Sequence, residues 1–518
     1  MKKGEPGILK LLDSLHQPKW SIIVKGLLCG IIAGALAVIY RILIDFCTET
    51  VFRVYECIKL RPLLLLPWTV ILLVIGLFIA WLVKLEPMAS GSGIPQVKGV
   101  VVYGMKMKWY TILAVRFIGG ALSAICGLSL GREGPSIQIG AAGGQVIAGL
   151  AKKNKLDENY LITGGAAAGL SAAFSAPLSG ILFALEEVHR SFSPLILTVA
   201  TAASLTADVI SKNIFGLKPV LNFSEIPLWP VDLYYWLIPL GLISGLCGIL
   251  VNKGLTSFQS LYHKLPWLVR PLPAIVAAIF CGLFLPEILG GGTNLVSMAQ
   301  TVRSGISILI ILLVSKILFT SISFDSGVPG GIFMPILSIG ALSGSIVGII
   351  ASGQGISPEY IPAFAVCAMA GALSASVKAP VTGILLAAEM TGSFMHLLPI
   401  AACSYIALLF SDLLNVAPIY STLLKRFISS NDQEDITKEK DDIFEVPVEY
   451  GSTAVNKPIR EIEWPDGTLI VALKRDEKEI IPCGSTVLLA GDYLVILSAD
   501  DAENDLGLSV RELCSTSG

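Results

Sequence analysis

The sequence predicts an all-α polytopic membrane protein with a small α+β domain at its C-terminal end. Three observations carry this prediction. The 518 residues are 54% hydrophobic and only 15% charged, whereas soluble proteins carry about 25% charged residues. Apolar stretches of about 20 residues, the length that crosses a bilayer, recur along the chain. Residues 431–518 hold 20 acidic and 8 basic residues, which leaves 19 acidic and 29 basic residues in 1–430.

A basic, apolar body joined to an acidic tail excludes two classes of protein: an ordinary cytosolic enzyme, and a nucleic-acid binder with a large basic domain. The ten cysteines stand singly and the four histidines show no ligand spacing, so we expect no disulfide framework and no metal site. The chain has no Walker lysine loop and no G-x-G-x-x-G turn. We therefore expect no nucleotide cofactor and no ATP-driven transport by this chain alone.

The predicted spans fall into long and broken segments. Long apolar runs occupy 20–45, 63–83, 110–130, 194–210, 233–251, 271–289, 305–322 and 397–416. Shorter runs interrupted by Gly and Pro occupy 136–151, 161–175, 177–188, 332–351, 361–376 and 380–392. Interrupted helices at membrane depth are tolerated only where protein buries them or where they line a polar cavity. We therefore expect the functional site among the broken segments.

An internal repeat divides the apolar body into two halves. Gly131, Pro135, Gly140 and Gly144 recur 200 residues later as Gly331, Pro335, Gly340 and Gly344. The segment A-P-L-S-G-I-L-F-A-L-E at 176–186 recurs as A-P-V-T-G-I-L-L-A-A-E at 379–389. Homologous halves with broken helices at matching positions point to a transporter site at the repeat interface. These residues leave open whether the halves are parallel or inverted.

Beyond the membrane body, residues 444–518 predict the α+β domain. Its strand-like runs are 444–448, 469–473, 487–489 and 493–497. Basic residues at the last membrane exit, Lys425 and Arg426, favour a cytoplasmic location for this domain. We expect a multi-pass protein of the inner or plasma membrane in four parts: a cytoplasmic segment 1–19, a transmembrane transport domain 20–426, a polar linker 427–443 and the C-terminal domain 444–518.

Three glycine-rich segments place backbone N–H groups at predicted helix starts. They are G-S-G-I-P at 91–95, G-R-E-G-P at 131–135 and G-G-I-F-M-P at 330–335. Free N–H groups and the positive end of the helix dipole point outward there. Several such ends, converging at mid-membrane, hold a monovalent anion without a full positive charge. The hydroxyls of Ser92 and Tyr420 are neutral donors suited to the same task, and such a site still lets the anion leave.

Glu133 is the strongest candidate for a titratable functional group, because an intramembrane carboxylate is a functional hypothesis by default. When ionised it competes with an anion for the same amides, and when protonated it can swing away. The alternative is a salt bridge with Arg132 at a membrane surface. Glu187 is a weaker candidate for a proton carrier, since carboxylates at helix ends often only face the cytoplasm. Arg116 neutralises a carboxylate, supports the anion field or has a structural role.

These motifs, with the later Tyr420, resemble the signature set of the ClC family of chloride channels and proton-coupled chloride exchangers over about residues 20–426. The resemblance implies an inverted repeat of tilted, broken helices, assembled in the lipid bilayer as a homodimer with one anion pathway per subunit. It implies that Ser92, Tyr420 and the backbone amides of Ile332 and Phe333 coordinate the central anion.

The resemblance also implies roles for the charged residues. Glu133 would be the external gating glutamate, which occupies anion sites and carries the proton. Glu187 matches the internal proton-transfer glutamate of family exchangers, which channel members generally lack. Gly134, Arg132 and Arg116 would support the anion field. The predicted function is therefore a chloride/proton antiporter. A passive chloride channel gated by Glu133 is the alternative, and a ligand sensor acting through the tail is a third interpretation.

Details of the motifs refine this expectation. Ser92 favours chloride, because nitrate-preferring relatives carry proline there. Gln96 and Arg116 depart from the family pattern, in which glutamate and lysine respectively are common. The tail resembles the TrkA-C type of regulatory domain, and such domains pair as dimers and bind small effectors. A cytosolic small molecule such as a cyclic dinucleotide is therefore an expected partner, with dimerisation without a ligand as the alternative.

Overall fold

In this computed structural model, residues 19–430 form one compact unit and residues 431–518 belong to another. The structure describes residues 20–150, 155–190, 192–221, 223, 226–262, 264–300, 305–430, 443–448, 452–465, 468–475, 478–498, 509–510 and 513–514. The predicted N-terminal segment 1–19 lies outside these residues, as does most of the predicted linker 427–443.

The membrane unit is built from helices. They are α1 Trp20–Leu60, α2 Leu65–Leu85, α3 Ile94–Tyr103, α4 Trp109–Ile125, α5 Glu133–Leu150, α6 Lys155–Phe174, α7 Pro177–Phe183, α8 Pro194–Phe215, α9 Leu237–Tyr262, α10 Pro271–Phe284, α11 Thr293–Ala299, α12 Ile306–Asp325, α13 Phe333–Gly353, α14 Ile361–Val377, α15 Pro380–Thr391, α16 Leu397–Leu413 and α17 Ile419–Ser430. A π-helical turn, Ala184–His189, continues α7. Within the described ranges, nine helical stretches are long and apolar enough to cross a membrane, which confirms the predicted all-α polytopic class.

Helix α1 differs most from its predicted span. It continues to Leu60 and comprises 41 residues, whereas the apolar run ends near residue 45. The extension is amphipathic: Val51 and Tyr55 are buried, while Arg53 and Glu49 form an exposed ion pair one turn apart. At 1.5 Å per residue such a helix is about 60 Å long, roughly twice the hydrocarbon thickness. It must therefore tilt strongly or project beyond the bilayer.

Repeat-related glycines allow helices to pack backbone to backbone in both halves. In the first half, a Cβ atom added to Gly140 on α5 would lie 2.9 Å from the Cα of Gly169 on α6. In the second half, a Cβ atom on Gly340 of α13 would lie 2.6 Å from the carbonyl oxygen of Ala368 on α14. Such distances are too short for any side chain. The repeat pattern thus marks the central helix pair of each half.

The C-terminal unit contains a four-stranded antiparallel sheet. Its strands are β1 Ile443–Pro447, β2 Thr468–Arg475, β3 Lys478–Ile480 and β4 Tyr493–Ser498, in the spatial order β1-β4-β2-β3. The predicted strand at 487–489 is wrong. Val487 makes only an isolated bridge to Pro458, because the run turns after burying Leu488 and leaves its two neighbours about 40% exposed. The short edge strand β3 was not predicted.

Candidate functional site

The segment 91–95 is a tight loop that leads into α3, and a buried arginine fixes its shape. Gly91 and Gly93 have φ angles of 55° and 91°, which side-chain-bearing residues rarely adopt. Fully buried Arg116 donates hydrogen bonds to the Gly91 carbonyl at 2.6 Å and to the Ser90 carbonyl at 3.3 Å. Its Nε donates to the side chain of Gln138. Within the described part of the chain these bonds go to no carboxylate, so the interpretation of Arg116 as a carboxylate partner is wrong.

The second half contains a counterpart of this loop. Gly290 and Gly292 have φ angles of 63° and 98° and precede α11. Fully buried Lys316 lies 200 residues after Arg116 and donates to the carbonyls of Ile288 at 2.9 Å and Gly290 at 2.7 Å. Each half therefore fixes a glycine loop with one buried cation.

Two buried hydroxyls meet beside the first loop. Ser92 and Tyr420 are 1% and 0% exposed, and their hydroxyl groups lie close enough to interact. Their contact does not have the geometry of a hydrogen bond, and neither hydroxyl forms a hydrogen bond with any other atom of the described residues. A buried polar group left unpaired costs about 1–3 kcal/mol, so this pair of donors fits a ligand that the protein does not supply itself.

The N-terminus of α13 lies beside the same tyrosine. The first backbone N–H groups of a helix have no partner within the helix, and here they belong to Phe333 and the residues after it. The Phe333 ring stacks on Tyr420, with ring centroids 6.1 Å apart and planes inclined by 16°. It also packs edge-on against Phe183. This aromatic packing holds the tyrosine hydroxyl in position and excludes water from the donors.

The glycine-rich motifs of the two halves meet directly. The backbone N–H groups of Gly131 and Gly331 each donate to the other's carbonyl, both at 2.7 Å, in an antiparallel bridge. A Cβ atom on Gly331 would lie 3.0 Å from the backbone nitrogen of Gly134. A Cβ atom on Gly134 would collide with Ser92. All three predicted helix starts therefore converge on one place.

Glu133 is the first residue of α5 and is only 2% exposed. Its carboxylate interacts with the backbone N–H of Met334, while its Oε2 atom has no hydrogen-bond partner among the described residues. The carboxylate also interacts with its own backbone N–H, so it lies at the starts of both α5 and α13. Arg132 forms its ion pair with Asp45 on α1, so the alternative of an Arg132–Glu133 salt bridge is wrong.

The second buried carboxylate, Glu187, lies in the π turn that follows α7. Such turns insert an extra residue into a helix and occur often at functional sites. Here the turn directs Glu187 inward, where Lys98 of α3 donates to its Oε1 at 2.7 Å and both side chains are 2% exposed. The same ammonium group donates to the hydroxyl of Ser421 at 3.1 Å. Sequence analysis missed Lys98, although a lysine inside the apolar segment 94–103 was the available signal.

Comparison with known proteins agrees with this geometry. Residues 75–412 match the family described as voltage gated chloride channel, and residues 443–507 match the TrkA-C domain. The chain belongs to the voltage-gated chloride channel family. The predicted resemblances of body and tail are therefore both confirmed.

The relatives of this chain within the family are named as transporters. The chain is 30% identical over 460 residues to the H(+)/Cl(-) exchange transporter ClcA of Citrobacter koseri, covering 85% of this chain and 95% of the relative. It is 32% identical over 444 residues to ClcA of Vibrio cholerae, covering 83% and 94% respectively. The solved structure of a slow cyanobacterial Cl-/H+ antiporter superposes with a TM-score of 0.75 at 29% identity, covering 80% of this chain and 100% of that one. The structure of a fluoride/proton antiporter of the CLC type shares the fold, with a TM-score of 0.64 at 22% identity.

Two further carboxylates of this chain form hydrogen bonds between its two halves. Glu186 accepts hydrogen bonds from the N–H and hydroxyl of Thr382, at 2.9 and 2.7 Å, at the start of α15. Its repeat counterpart Glu389 accepts bonds from the N–H and hydroxyl of Ser179, at 2.8 and 2.5 Å, at the start of α7. Each half thus caps a helix of the other. The sequence analysis recorded both glutamates within its repeat but did not predict this exchange.

Proposed function

We propose that this chain is a secondary active chloride/proton antiporter. The observation that carries the proposal is the pair of buried, unpaired hydroxyls of Ser92 and Tyr420, together with the two buried carboxylates of Glu133 and Glu187. The Tyr420 hydroxyl is within electrostatic range of both Glu133 and Glu187. A passive channel needs a gate, but it has no need of a second buried carboxylate along the same route. The ClcA relatives, which are named H(+)/Cl(-) exchange transporters, support the same proposal.

Chloride is coordinated by neutral donors in this proposal. Ser92 and Tyr420 donate hydroxyl hydrogens, and Ile332 and Phe333 donate backbone hydrogens from the start of α13. Donors of this kind stabilise a desolvated anion through the helix dipole and directed hydrogen bonds. They hold it weakly enough for release, as transport requires.

Glu133 acts as the gate because it interacts with the same helix start that the anion needs. Ionised, it fills the place of an anion; protonated, it loses its attraction for the amides and leaves. Glu187 exchanges protons with the internal solution. Gly134 lets the motifs approach closely, Arg116 holds the Ser92 loop, and Arg132 contributes positive charge near the external entrance.

Three further assignments belong to the proposal. The chain works as a homodimer with one route per subunit. Its C-terminal domain faces the cytoplasm, supported by the basic residues Lys425 and Arg426 at the end of the helical unit and by the TrkA-C match. A cytosolic small molecule binds that domain. Titrating the full-length protein with cyclic dinucleotides tests the last assignment, since no saturable binding across the series would contradict it.

Proton movement in proteoliposomes tests the main proposal. The purified full-length chain is reconstituted, a chloride gradient is imposed and a potassium ionophore clamps the voltage at zero. We expect chloride to drive protons uphill, in the opposite direction to its own flow. Chloride flux without proton movement would establish the passive channel instead, and Glu187 would lose its proposed role.

A further inference from the structure

Lys98 lies between the group proposed to exchange protons and the helix that carries the anion-site tyrosine. Its ammonium donates to Glu187 Oε1 at 2.7 Å and to Ser421 Oγ at 3.1 Å. Ser421 directly follows Tyr420 on α17. One side chain on α3 therefore contacts the proton-carrying carboxylate and the residue adjacent to the tyrosine.

Because both charged groups are buried, the loss of either one has a large free-energy cost. Lys98 and Glu187 are each only 2% exposed, and removing one charge of a buried ion pair leaves the other uncompensated at a high free-energy cost. The charged groups that act on Glu187 are Lys98, Arg190 and Glu186. Arg190 is exposed to solvent and reaches Ser421 at 3.3 Å, so water can screen its charge. Lys98 has no such screening.

A proton that arrives at Glu187 changes the surroundings of Lys98. The proton passes from a hydronium ion of the internal solution to the carboxylate, so that one O–H bond of hydronium breaks, one O–H bond forms on Glu187 and a water molecule is released. The carboxyl group is then neutral, so the ammonium retains the Ser421 hydroxyl but has lost its counter-charge. In the proposed cycle, an anion held beside Tyr420, the neighbour of Ser421, replaces that charge.

We infer that Lys98 is a positioning residue that makes chloride binding at the Tyr420 site depend on whether Glu187 carries a proton. This inference rests on the proposed function and adds to it a coupling element between the two ions. Because such coupling is a free energy shared by two sites, chloride also favours protonation of Glu187 to the same degree. The two ions thus interact through one lysine, without direct contact between them.

Calorimetric titration of the purified full-length chain with chloride tests the inference. Glu187→Gln imitates the protonated state, and we expect it to tighten chloride binding by about fivefold or more, the lower end of typical couplings between sites. Adding Lys98→Met should abolish this tightening and return the dissociation constant to within about twofold of the wild-type value. The double variant contains no unpaired charge at this position, so its folding does not depend on the missing ion pair.

Two matched variants separate charge from general disturbance. Lys98→Arg combined with Glu187→Gln keeps the positive charge and should keep the tightening. Lys212→Met removes a different lysine, which pairs with Asp208 at 2.6 Å on α8, and should also leave the tightening intact. The inference is overturned if Glu187→Gln alone does not tighten binding, if Lys98→Met fails to abolish the effect, or if either matched variant abolishes it.

The chloride titrations and the proteoliposome test of the proposed function can fail independently of each other. If wild-type protein moves chloride without protons, the antiporter proposal fails, whatever the titrations show. If wild-type protein moves protons but tightening survives Lys98→Met, the antiporter proposal stands and the role of Lys98 falls.

Discussion

The two halves of the membrane unit share a backbone plan but differ in chemistry. Both fix a glycine loop with a buried cation, Arg116 in the first half and Lys316 in the second. Both begin a central helix at the reciprocal bridge between Gly131 and Gly331. The repeat therefore supplies the converging backbone, while the two buried carboxylates occupy positions where the halves diverge.

Two of the divergent positions hold the buried carboxylates. Glu133 at the start of α5 corresponds to Phe333 at the start of α13. Glu187 in the π turn corresponds to Met390, which is fully buried and lies in a regular helix. The first half therefore supplies both carboxylates. The second half supplies a helix start with apolar side chains, where we propose that the anion binds, and leads on to Tyr420.

The largest expected effect comes from removing the titratable group at the start of α5. Glu133→Gln should keep chloride flux but reduce proton movement by roughly a hundredfold or more, the size of a lost proton-transfer group. Proton and chloride fluxes measured together in proteoliposomes check this. Glu56→Gln, which alters an exposed carboxylate on α1, is the matched control. Chloride-driven proton uptake that survives Glu133→Gln unchanged would remove this residue from the gate.

Replacing each of the two buried cations tests whether both glycine loops affect chloride binding. Arg116→Met should weaken chloride binding about tenfold, because the loss of its hydrogen bonds to the Gly91 and Ser90 carbonyls lets the Ser92 loop relax. A tenfold change is about the free energy of one charge-assisted hydrogen bond. Lys316→Met loses equivalent bonds in the second half and should lower thermal stability without weakening chloride binding. Chloride titration and thermal unfolding of both variants distinguish these outcomes. Equal loss of chloride affinity in both variants would mean that both buried cations affect chloride binding through the fold as a whole.

The smallest expected effect concerns the exchanged caps. Glu186→Gln and Glu389→Gln should each lower the free energy of unfolding by about 1 kcal/mol, since each weakens one helix cap. Neither should alter the ratio of chloride to protons. Thermal unfolding followed by tryptophan fluorescence measures the loss. A destabilisation confined to one of the two variants would show that the caps are not equivalent.

Much of the fold was predictable because local sequence patterns indicate it. Apolar length and glycine interruptions indicated the spans, and the offset of 200 residues indicated the halves. Short elements were not predicted: α11 has only 7 residues, and β3 has 3. The run at 487–489 has the composition of a strand, yet tertiary packing allows it a single bridge.

The candidate site was predictable in its backbone but not in its contacts. Glycine-flanked helix starts indicated the converging motifs. The partners of Arg116 and Lys98 depend on which distant segments meet, and pairings such as Lys98 with Ser421, 323 residues apart, leave no local pattern. Burial likewise could not be inferred for Glu187, because its orientation depends on the π turn.

The exchanged caps also constrain biosynthesis. The N–H of Leu178 at the start of α7 finds its partner in Glu389, 211 residues later in the chain. At translation rates of about 5–20 residues per second, the ribosome needs roughly 10–40 s to supply that carboxylate. Until then the N-terminus of α7 lacks this hydrogen-bond acceptor, although the first half is already in the bilayer. Insertion factors or lipid headgroups must stabilise this state.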